Sequence, residues 1–164
     1  MSTKTKENLM SGFAGESQAN RKYTAFADVA EKEGHKDIAR LFRCTAEAEN
    51  IHAVLELKLA GKVGDTPANL QAAIEGETYE FSEMYPEFEK DAVAEDQKEA
   101  TRAFQYAKEA EKVHAELYKE ALGSIGDETG VDFYLCPVCG YIQKKSAPDN
   151  CPICKAKGSV FKKY

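Results

Sequence analysis

The sequence predicts a mainly α fold, in which a four-helix bundle is followed by a small metal-binding domain. The 164-residue chain changes composition once: Ala, Glu, Lys and Leu, which are typical of long helices, prevail up to about Ser124, and Gly, Pro and Cys prevail from about Val131. Four of the five cysteines also lie in this last part. We therefore predict a bundle domain at 1–125 and a metal-binding domain at 131–164, joined by a linker over Ser124–Gly130.

Helical periodicity divides the first domain into four segments. Side chains of one face recur at steps of three, four and seven residues, and Gly34, Gly61 and Gly123 supply natural helix ends. In the third segment, Pro67 suits a first helical turn and Pro86 predicts a kink. Short connections favour antiparallel neighbours. The predicted helices cover about Thr5–Glu33, Lys36–Ala60, Thr66–Ala94 and Asp96–Leu122.

Charge and hydropathy argue against several classes of function. The formal net charge of −6 argues against nucleic-acid binding, which usually needs a basic face. No segment approaches the roughly 18 to 20 apolar residues of a membrane span. The polar start at Met1–Glu7 is unlike a signal peptide, and clustered cysteines in a reducing compartment indicate metal ligands. We expect a cytoplasmic protein that binds neither nucleic acid nor membrane.

Three glutamates lie on apolar helix faces. Glu16, Glu49 and Glu111 share their faces with apolar side chains such as Phe13 and Phe104. Burying an unpaired carboxylate costs on the order of several kcal/mol, and the nearby basic residues fall mostly on other faces. A cation inside the bundle would balance these charges.

The spacing of two histidines supports a metal site. Glu49 precedes His52 and Glu111 precedes His114 by three positions, so each pair projects toward one side of its helix. Two such Glu-x-x-His motifs, with one glutamate from each remaining helix, form the ligand pattern of di-iron and di-manganese carboxylate bundles. The remaining helices offer Glu16 in the first, and Glu80 and Glu83 in the third.

Five further residues receive simpler interpretations. We expect His35 to be a surface residue of a turn, Glu77 and Glu87 to be solvated, and Cys44 to be a small buried side chain. Tyr23 lies two turns from the glutamate of the first helix, where it either hydrogen-bonds a ligating carboxylate or only packs.

The C-terminal cysteines form two Cys-x-x-Cys pairs, Cys136-Pro-Val-Cys139 and Cys151-Pro-Ile-Cys154. Four thiolates in a tetrahedral arrangement bind zinc or iron, and the spacing alone favours zinc because structural zinc sites of this kind are common. A domain of roughly 35 residues needs such a metal to be stable. Beside a redox site in the bundle, an electron-carrying iron makes better sense.

These motifs, in this order along nearly the whole chain, resemble those of the rubrerythrin family. The resemblance rests on Gly15-Glu16-Ser17, on both Glu-x-x-His motifs, on Glu77-Thr-Tyr-Glu80-Phe-Ser-Glu83-Met-Tyr-Pro86, and on the paired cysteines, which resemble rubredoxin. It implies a ferritin-like bundle with a non-haem di-iron centre and a rubredoxin-like domain with one iron on four cysteines. The implied metal ligands are Glu16, Glu49, His52, Glu80, Glu83, Glu111, His114, Cys136, Cys139, Cys151 and Cys154.

The resemblance also implies an activity and residue roles. Glu49 and Glu111 would bridge the irons, while His52 and Glu83 would exchange as ligands of one iron when its redox state changes. The implied reaction is the reduction of hydrogen peroxide to water, in defence against oxidative stress. Electrons would come from rubredoxin or a reductase through the cysteine-bound iron. The resemblance further implies a homodimer or a larger homo-oligomer, with electron transfer between subunits.

One residue departs from the family pattern. Lys155 follows the second cysteine pair, where Gly is common. A positive φ there would cost a lysine on the order of 1 kcal/mol and would perturb the redox potential without removing a ligand.

Two alternatives stay open. A ferroxidase or iron-handling protein would use the same bundle ligands to oxidise Fe(II) with oxygen, and manganese or zinc would also suit these ligands. A helical scaffold with a structural zinc site would bind a partner without redox chemistry, but it leaves the buried glutamates unexplained.

Overall fold

The computed structural model describes residues 2–127 and 130–164. Met1, and Glu128 and Thr129 of the predicted linker, lie outside the described residues. The described chain contains five α-helices, one π-helical turn, a short 3-10 helix and a three-stranded sheet, which confirms the predicted mainly α fold. The chain divides into two compact units, of which one ends at Gly64 and the other begins at Asp65. The division into domains at 1–125 and 131–164 stays a prediction.

The first unit is a pair of packed helices, α1 (Thr3–Lys32) and α2 (Lys36–Leu59). The side chain of Ser2 caps α1 by accepting a hydrogen bond from the backbone N–H of Thr5. Small side chains let the two helix backbones approach closely, and Asn20 adds a hydrogen bond from its Nδ2 to the carbonyl oxygen of Ala46 at 2.6 Å. The buried alanines of the pair are Ala27, Ala30, Ala39, Ala46 and Ala53.

The second unit begins with three further helices and a π-helical turn. Its elements are α3 (Thr66–Tyr79), the π-helical turn (Glu80–Met84), α4 (Tyr85–Ala94) and α5 (Lys98–Gly123). The first three elements follow one another directly and all contact α5. The four predicted helical segments are confirmed to within two residues at each end.

A π-helical turn lies directly before Pro86, where a kink was predicted. The backbone N–H of Tyr85 donates to the carbonyl oxygen of Glu80, five residues earlier. Proline has no N–H with which to continue the α-helical ladder, so the hydrogen-bond register widens just before it. The residues after Tyr79 therefore point in directions that a continuous α-helix would not give.

The second unit ends in a small β-module. Its strands are β1 (Phe133–Leu135), β2 (Ile142–Lys144) and β3 (Lys162–Lys163), which pair antiparallel in the order β2-β1-β3. A 3-10 helix covers Gly158–Val160. The buried centre of this module consists of cysteines, with Tyr106 of α5 packed against them. The large apolar side chains around these cysteines are only partly buried, so a bound metal would supply much of the stability of the module.

The prediction for Cys44 is wrong, because this side chain is exposed. Ala39, Ala46 and Ala53 are buried at seven-residue intervals along α2 and mark the face that packs on α1. Cys44 precedes Ala46 by two positions, which places it on nearly the opposite side of the helix. Within the residues that the structure describes, no helix combines the length and the apolar character that a membrane span requires.

Gly158 occupies a position in the β-module where no larger residue fits. A Cβ atom there would overlap the carbonyl oxygen of Pro148 and would lie 3.0 Å from its carbonyl carbon. Because backbone atoms cannot swing aside, we expect Gly158→Ala to destabilise the module by about 1–3 kcal/mol. We expect the variant to lose metal from the cysteines to a chelator faster than the parent protein, and visible absorption will monitor this loss.

Gly123→Ala is the matched control for this substitution. A Cβ atom at Gly123 meets nothing within 4 Å, so this variant should lose metal at the rate of the parent protein. Equal rates for the two variants would show that the close contact at Pro148 does not limit the module.

Candidate metal centre

The first unit holds one cluster of metal-ligating side chains. Glu16 of α1 meets Glu49 and His52 of α2, and each residue offers a ligand atom within 4.8 Å of the others. His52 Nδ1 lies 3.1 Å from Glu49 Oε2. A hydrogen bond with Glu49, and burial, raise the pKa of Glu16. A cation bound between these side chains would relieve the repulsion that raises the pKa of Glu16.

A further carboxylate lies close to this cluster. Glu56 packs beneath Gly12, where a Cβ atom would overlap its carboxylate. Its Oε2 atom is buried and has no hydrogen-bond partner among the described residues. The charge of Glu56 adds to the effects that raise the pKa of Glu16. Sequence analysis missed Glu56, although it follows Glu49 by seven positions on the same face of α2.

The second unit holds another cluster of the same kind. Glu77 of α3 meets Glu111 and His114 of α5, again with ligand atoms within 4.8 Å of one another. His114 Nδ1 lies 2.6 Å from Glu111 Oε2 and 3.7 Å from Glu77 Oε2. The side chain of Glu77 is only 21% exposed, so the prediction that it is solvated is wrong. Glu87 is exposed, as predicted.

The two candidate ligands of the third helical segment lie in different surroundings. Glu80 is half-buried, and its pKa is raised by burial and by the charge of Glu111. Glu83 is exposed, and neither Glu80 nor Glu83 belongs to one of the two clusters. The sequence argument assumed α-helical spacing from Glu80 to Glu83, whereas the π-helical turn covers both residues and changes their relative direction.

Like charges are packed closely in the second cluster. Burial and a hydrogen bond with Glu111 raise the pKa of Glu77 to about 7. A hydrogen bond with His114 lowers the pKa of Glu111, and the same bond raises that of His114. Glu77 Oε2 is nevertheless buried without a hydrogen-bond partner among the described residues. An imidazole and two carboxylates, one of which has an unpaired buried oxygen, fit a divalent cation well.

Tyr85 is a second residue of this site that sequence analysis missed. Its ring packs against Phe88 and Phe104, at centroid distances of 6.1 and 6.3 Å. The pKa of the Tyr85 phenol is raised, mainly by burial and further by the charges of Glu80, Glu111 and Glu77. The phenol therefore keeps its proton at neutral pH. The position directly before Pro86 was its only signal in the sequence.

Packing explains Tyr23, and exposure explains His35. The ring of Tyr23 packs against Phe26 and Phe42, both at a centroid distance of 6.2 Å. These contacts support the packing interpretation of Tyr23. His35 is exposed in the turn before α2, as predicted.

The four C-terminal cysteines converge as metal ligands. The sulfur atoms of Cys136 and Cys154 are 3.6 Å apart, and those of Cys139 and Cys151 are 3.5 Å apart. A disulfide would bring two sulfurs to about 2.05 Å. A metal bound at about 2.3 Å to four tetrahedral sulfurs would hold them roughly 3.8 Å apart, close to the observed spacing.

Each cysteine pair is held in the same kind of turn. The backbone N–H of Gly140 donates to the carbonyl oxygen of Cys136, and that of Lys155 donates to the carbonyl oxygen of Cys151. Gly140 has a φ of +81° and Lys155 a φ of +65°. The turn thus requires a left-handed residue at both positions, which confirms the strain that was expected of Lys155.

His114 joins the carboxylate cluster to the cysteine site within one chain. Its Nδ1 faces Glu111, and its Nε2 lies 2.9 Å from the carbonyl oxygen of Gly140. A carbonyl can only accept, so Nε2 carries a proton and Nδ1 is left as the ligand atom. This hydrogen bond brings the second carboxylate cluster next to the first cysteine pair of the same chain. Electron transfer between subunits stays a prediction.

Comparison with known proteins agrees with both sites. Residues 7–122 match the rubrerythrin family, and residues 134–162 match the rubredoxin-like domain of rubrerythrin. The chain belongs to the rubrerythrin family. Membership assigns a di-iron site with Glu and His ligands to the ferritin-like bundle and one iron to the four cysteines.

Similar proteins include other members of the rubrerythrin family. The chain is 41% identical to nigerythrin of Nitratidesulfovibrio vulgaris, over 98% of this chain and 86% of that protein. It is 38% identical to rubrerythrin-2 of Clostridium acetobutylicum, over 98% and 96% of the two chains. Among solved structures, fully reduced, all-ferrous nigerythrin is 41% identical to this chain. The match covers 98% of this chain and 86% of the nigerythrin chain, with a TM-score of 0.61.

The raised pKa of Glu77 predicts a pH dependence for the metal-free protein. The carboxyl group is protonated more readily in the folded chain, at a pKa of about 7, than at its usual value of 4.5. Stability should therefore fall as the pH rises from about 4.5 to about 7, because ionisation is costlier in the folded state. Glu77→Gln, which stays neutral, should gain stability relative to the parent at pH 8 and lose this advantage at pH 4.5.

Urea denaturation of the metal-free proteins, followed by circular dichroism at both pH values, measures this difference. Glu87→Gln is the control, because Glu87 is exposed and the same substitution should leave the pH profile unchanged. A Glu77→Gln profile that runs parallel to the parent profile would contradict the assigned pKa.

Proposed function

We propose that this protein is a non-haem di-iron peroxidase, which reduces hydrogen peroxide to water in defence against oxidative stress. Electrons come from a reduced rubredoxin or a reductase and pass through the cysteine-bound iron. We further propose that it acts in the cytoplasm as a homodimer or larger homo-oligomer. Family membership supports an oxidoreductase of this general type.

The hydrogen bond between His114 and Gly140 is the observation that carries this proposal. A protein that only stores iron has no need of a rubredoxin-like iron site beside its ferritin-like ligands. Here one imidazole contacts Glu111 on one side and the residue after Cys139 on the other. Such a continuous bonded path suits the transfer of single electrons to the carboxylate site.

We propose a ligand set that differs from the sequence expectation at one residue. Glu16, Glu49 and His52 come from one cluster, and Glu111 and His114 from the other. In the third helical segment, Glu77 and Glu80 are better placed than Glu83, because both are half-buried and both interact with Glu111. Glu77 then takes the place that the resemblance gave to Glu83 among the candidate ligands.

These ligands would hold a di-iron centre, which would supply the two electrons that break the O–O bond, and the four cysteines would hold an iron that returns electrons one at a time. Reduction of one peroxide to two waters consumes two electrons and two protons. Tyr85 holds its phenolic proton beside Glu80 and can donate a hydrogen bond at Oη to a carboxylate or to peroxide. His114 donates its Nε2 proton to the carbonyl oxygen of Gly140, and this hydrogen bond orients Nδ1 of the same ring.

Anaerobic single-turnover kinetics test the proposed function. The fully reduced protein is mixed with equal concentrations of hydrogen peroxide or oxygen, and oxidation is followed by visible absorption. A peroxidase should react faster with peroxide by about tenfold or more, and it should turn over with a reduced electron donor. Much faster oxidation by oxygen would favour the ferroxidase alternative.

Substitution of the two candidate carboxylates separates Glu80 from Glu83. We expect Glu80→Ala to lower kcat for peroxide by about tenfold or more, since it removes a group beside Glu111. Glu83→Ala should retain most of the activity, because its side chain is exposed. Steady-state peroxide reduction with metal content measured on each sample provides the test. The reverse ranking, at equal iron content, would restore the role that the resemblance implied for Glu83.

A further inference from the structure

The chain is strongly divided in charge between its two ends. Residues 131–164 contain six lysines and two aspartates, a net charge of +4. The preceding 130 residues contain 16 basic and 26 acidic side chains, a net charge of −10. An acidic protein that approaches this chain is therefore attracted by the cysteine module and repelled by the helices.

The cysteine site has one protected and one accessible side. Cys136 and Cys151 are fully buried, and Cys139 is 9% exposed next to Gly140, which contacts His114 of α5. Cys154, in the second pair, is partly exposed. The first pair thus faces the carboxylate cluster, and the second pair offers the accessible sulfur for electrons that arrive from outside.

Lysines flank this accessible pair. Lys155 directly follows Cys154, and Lys157 forms a backbone bridge with Asn150, which precedes Cys151. Both side chains are exposed, and neither forms an ion pair in the described part of the chain. Of the other lysines of the module, Lys144 pairs with Glu120 and Lys163 pairs with Asp132. Lys145 and Lys162 are also exposed and form no ion pair among the described residues, but they do not adjoin the second cysteine pair in the sequence.

Lys155 adopts a left-handed backbone conformation, as Asp96 and Lys145 also do, but it lies directly after a cysteine pair. Its φ of +65° is a conformation that glycine adopts without strain, as Gly140 does at the equivalent position of the first pair. The ammonium group donates a hydrogen bond to the carbonyl oxygen of Pro152 at 2.9 Å, which holds it over the turn between Cys151 and Cys154. A residue retained in a strained conformation at a metal turn points to a function.

We infer that Lys155 and Lys157 form the docking site for an acidic electron-donor protein, which delivers electrons at Cys154. This inference rests on the proposed function, since it requires a reducible iron at the four cysteines. Each electron enters at the second cysteine pair, reduces Fe(III) to Fe(II), and leaves through Cys139 and Gly140 toward His114. The donor is oxidised by one electron in each encounter.

The test variant is Lys155→Asn with Lys157→Gln, in which asparagine tolerates the positive φ. The control is Lys58→Gln with Lys62→Gln, which makes the same change in net charge at exposed positions of the first unit. Reduced flavodoxin, an acidic one-electron donor protein, is the probe, and stopped-flow absorption follows bleaching of the Fe(III) site. Reduced methyl viologen, a small cation, is the comparison reductant.

At about 20 mM salt, we expect the test variant to be reduced by flavodoxin about tenfold more slowly than the parent protein. The difference should vanish near 1 M salt, where charges are screened. The control variant should change less than twofold. Reduction by methyl viologen should be unchanged or faster in the test variant, because the loss of two lysines favours a cation.

Two results would overturn the docking site while the iron site remains intact. One is an equal loss of rate in the test and control variants, which would indicate a general charge effect. The other is a parallel loss of rate with flavodoxin and methyl viologen, which would indicate a changed reduction potential. A parent protein without any reducible iron at the cysteines would overturn the proposed function and this inference together.

Discussion

The close packing of carboxylates between helices is the constraint on which the rest of this structure depends. Glu77 and Glu111 lie together beside His114, where burial and a hydrogen bond with Glu111 raise the pKa of Glu77 and a hydrogen bond with His114 lowers the pKa of Glu111. Hydrogen bonds within the cluster balance only part of this charge, since Glu77 Oε2 stays buried without a hydrogen-bond partner among the described residues. A bound cation relieves the repulsion, and it explains why helices that need packing faces keep acidic side chains on them.

The same histidine that serves this cluster also fixes the position of the cysteine module. His114 needs a partner for its Nε2 proton, and the carbonyl oxygen of Gly140 accepts it. This carbonyl belongs to the residue that closes the first cysteine turn. One hydrogen bond therefore selects the imidazole tautomer and joins the second carboxylate cluster to the first cysteine turn.

Much of this site could be predicted from sequence, and the failures have identifiable physical causes. The Glu-x-x-His motifs and paired cysteines are local patterns, so their residues converge as regular helices and turns require. Glu77 was missed because the choice among three evenly spaced glutamates assumed a continuous α-helix. The π-helical turn before Pro86 breaks that assumption. Cys44 was assigned to the interior because of its residue type, whereas alanines alone mark the packed face of α2.

The two cysteine turns share one backbone geometry but make different use of their left-handed residue. At Gly140, the turn lies against α5, where an added Cβ atom would be in van der Waals contact with Ala110 at 3.8 Å. At Lys155, the turn is open to solvent, so a long charged side chain fits, at a conformational cost on the order of 1 kcal/mol. The inner turn is thus built for contact within the chain, and the outer turn carries the charge that can attract a partner.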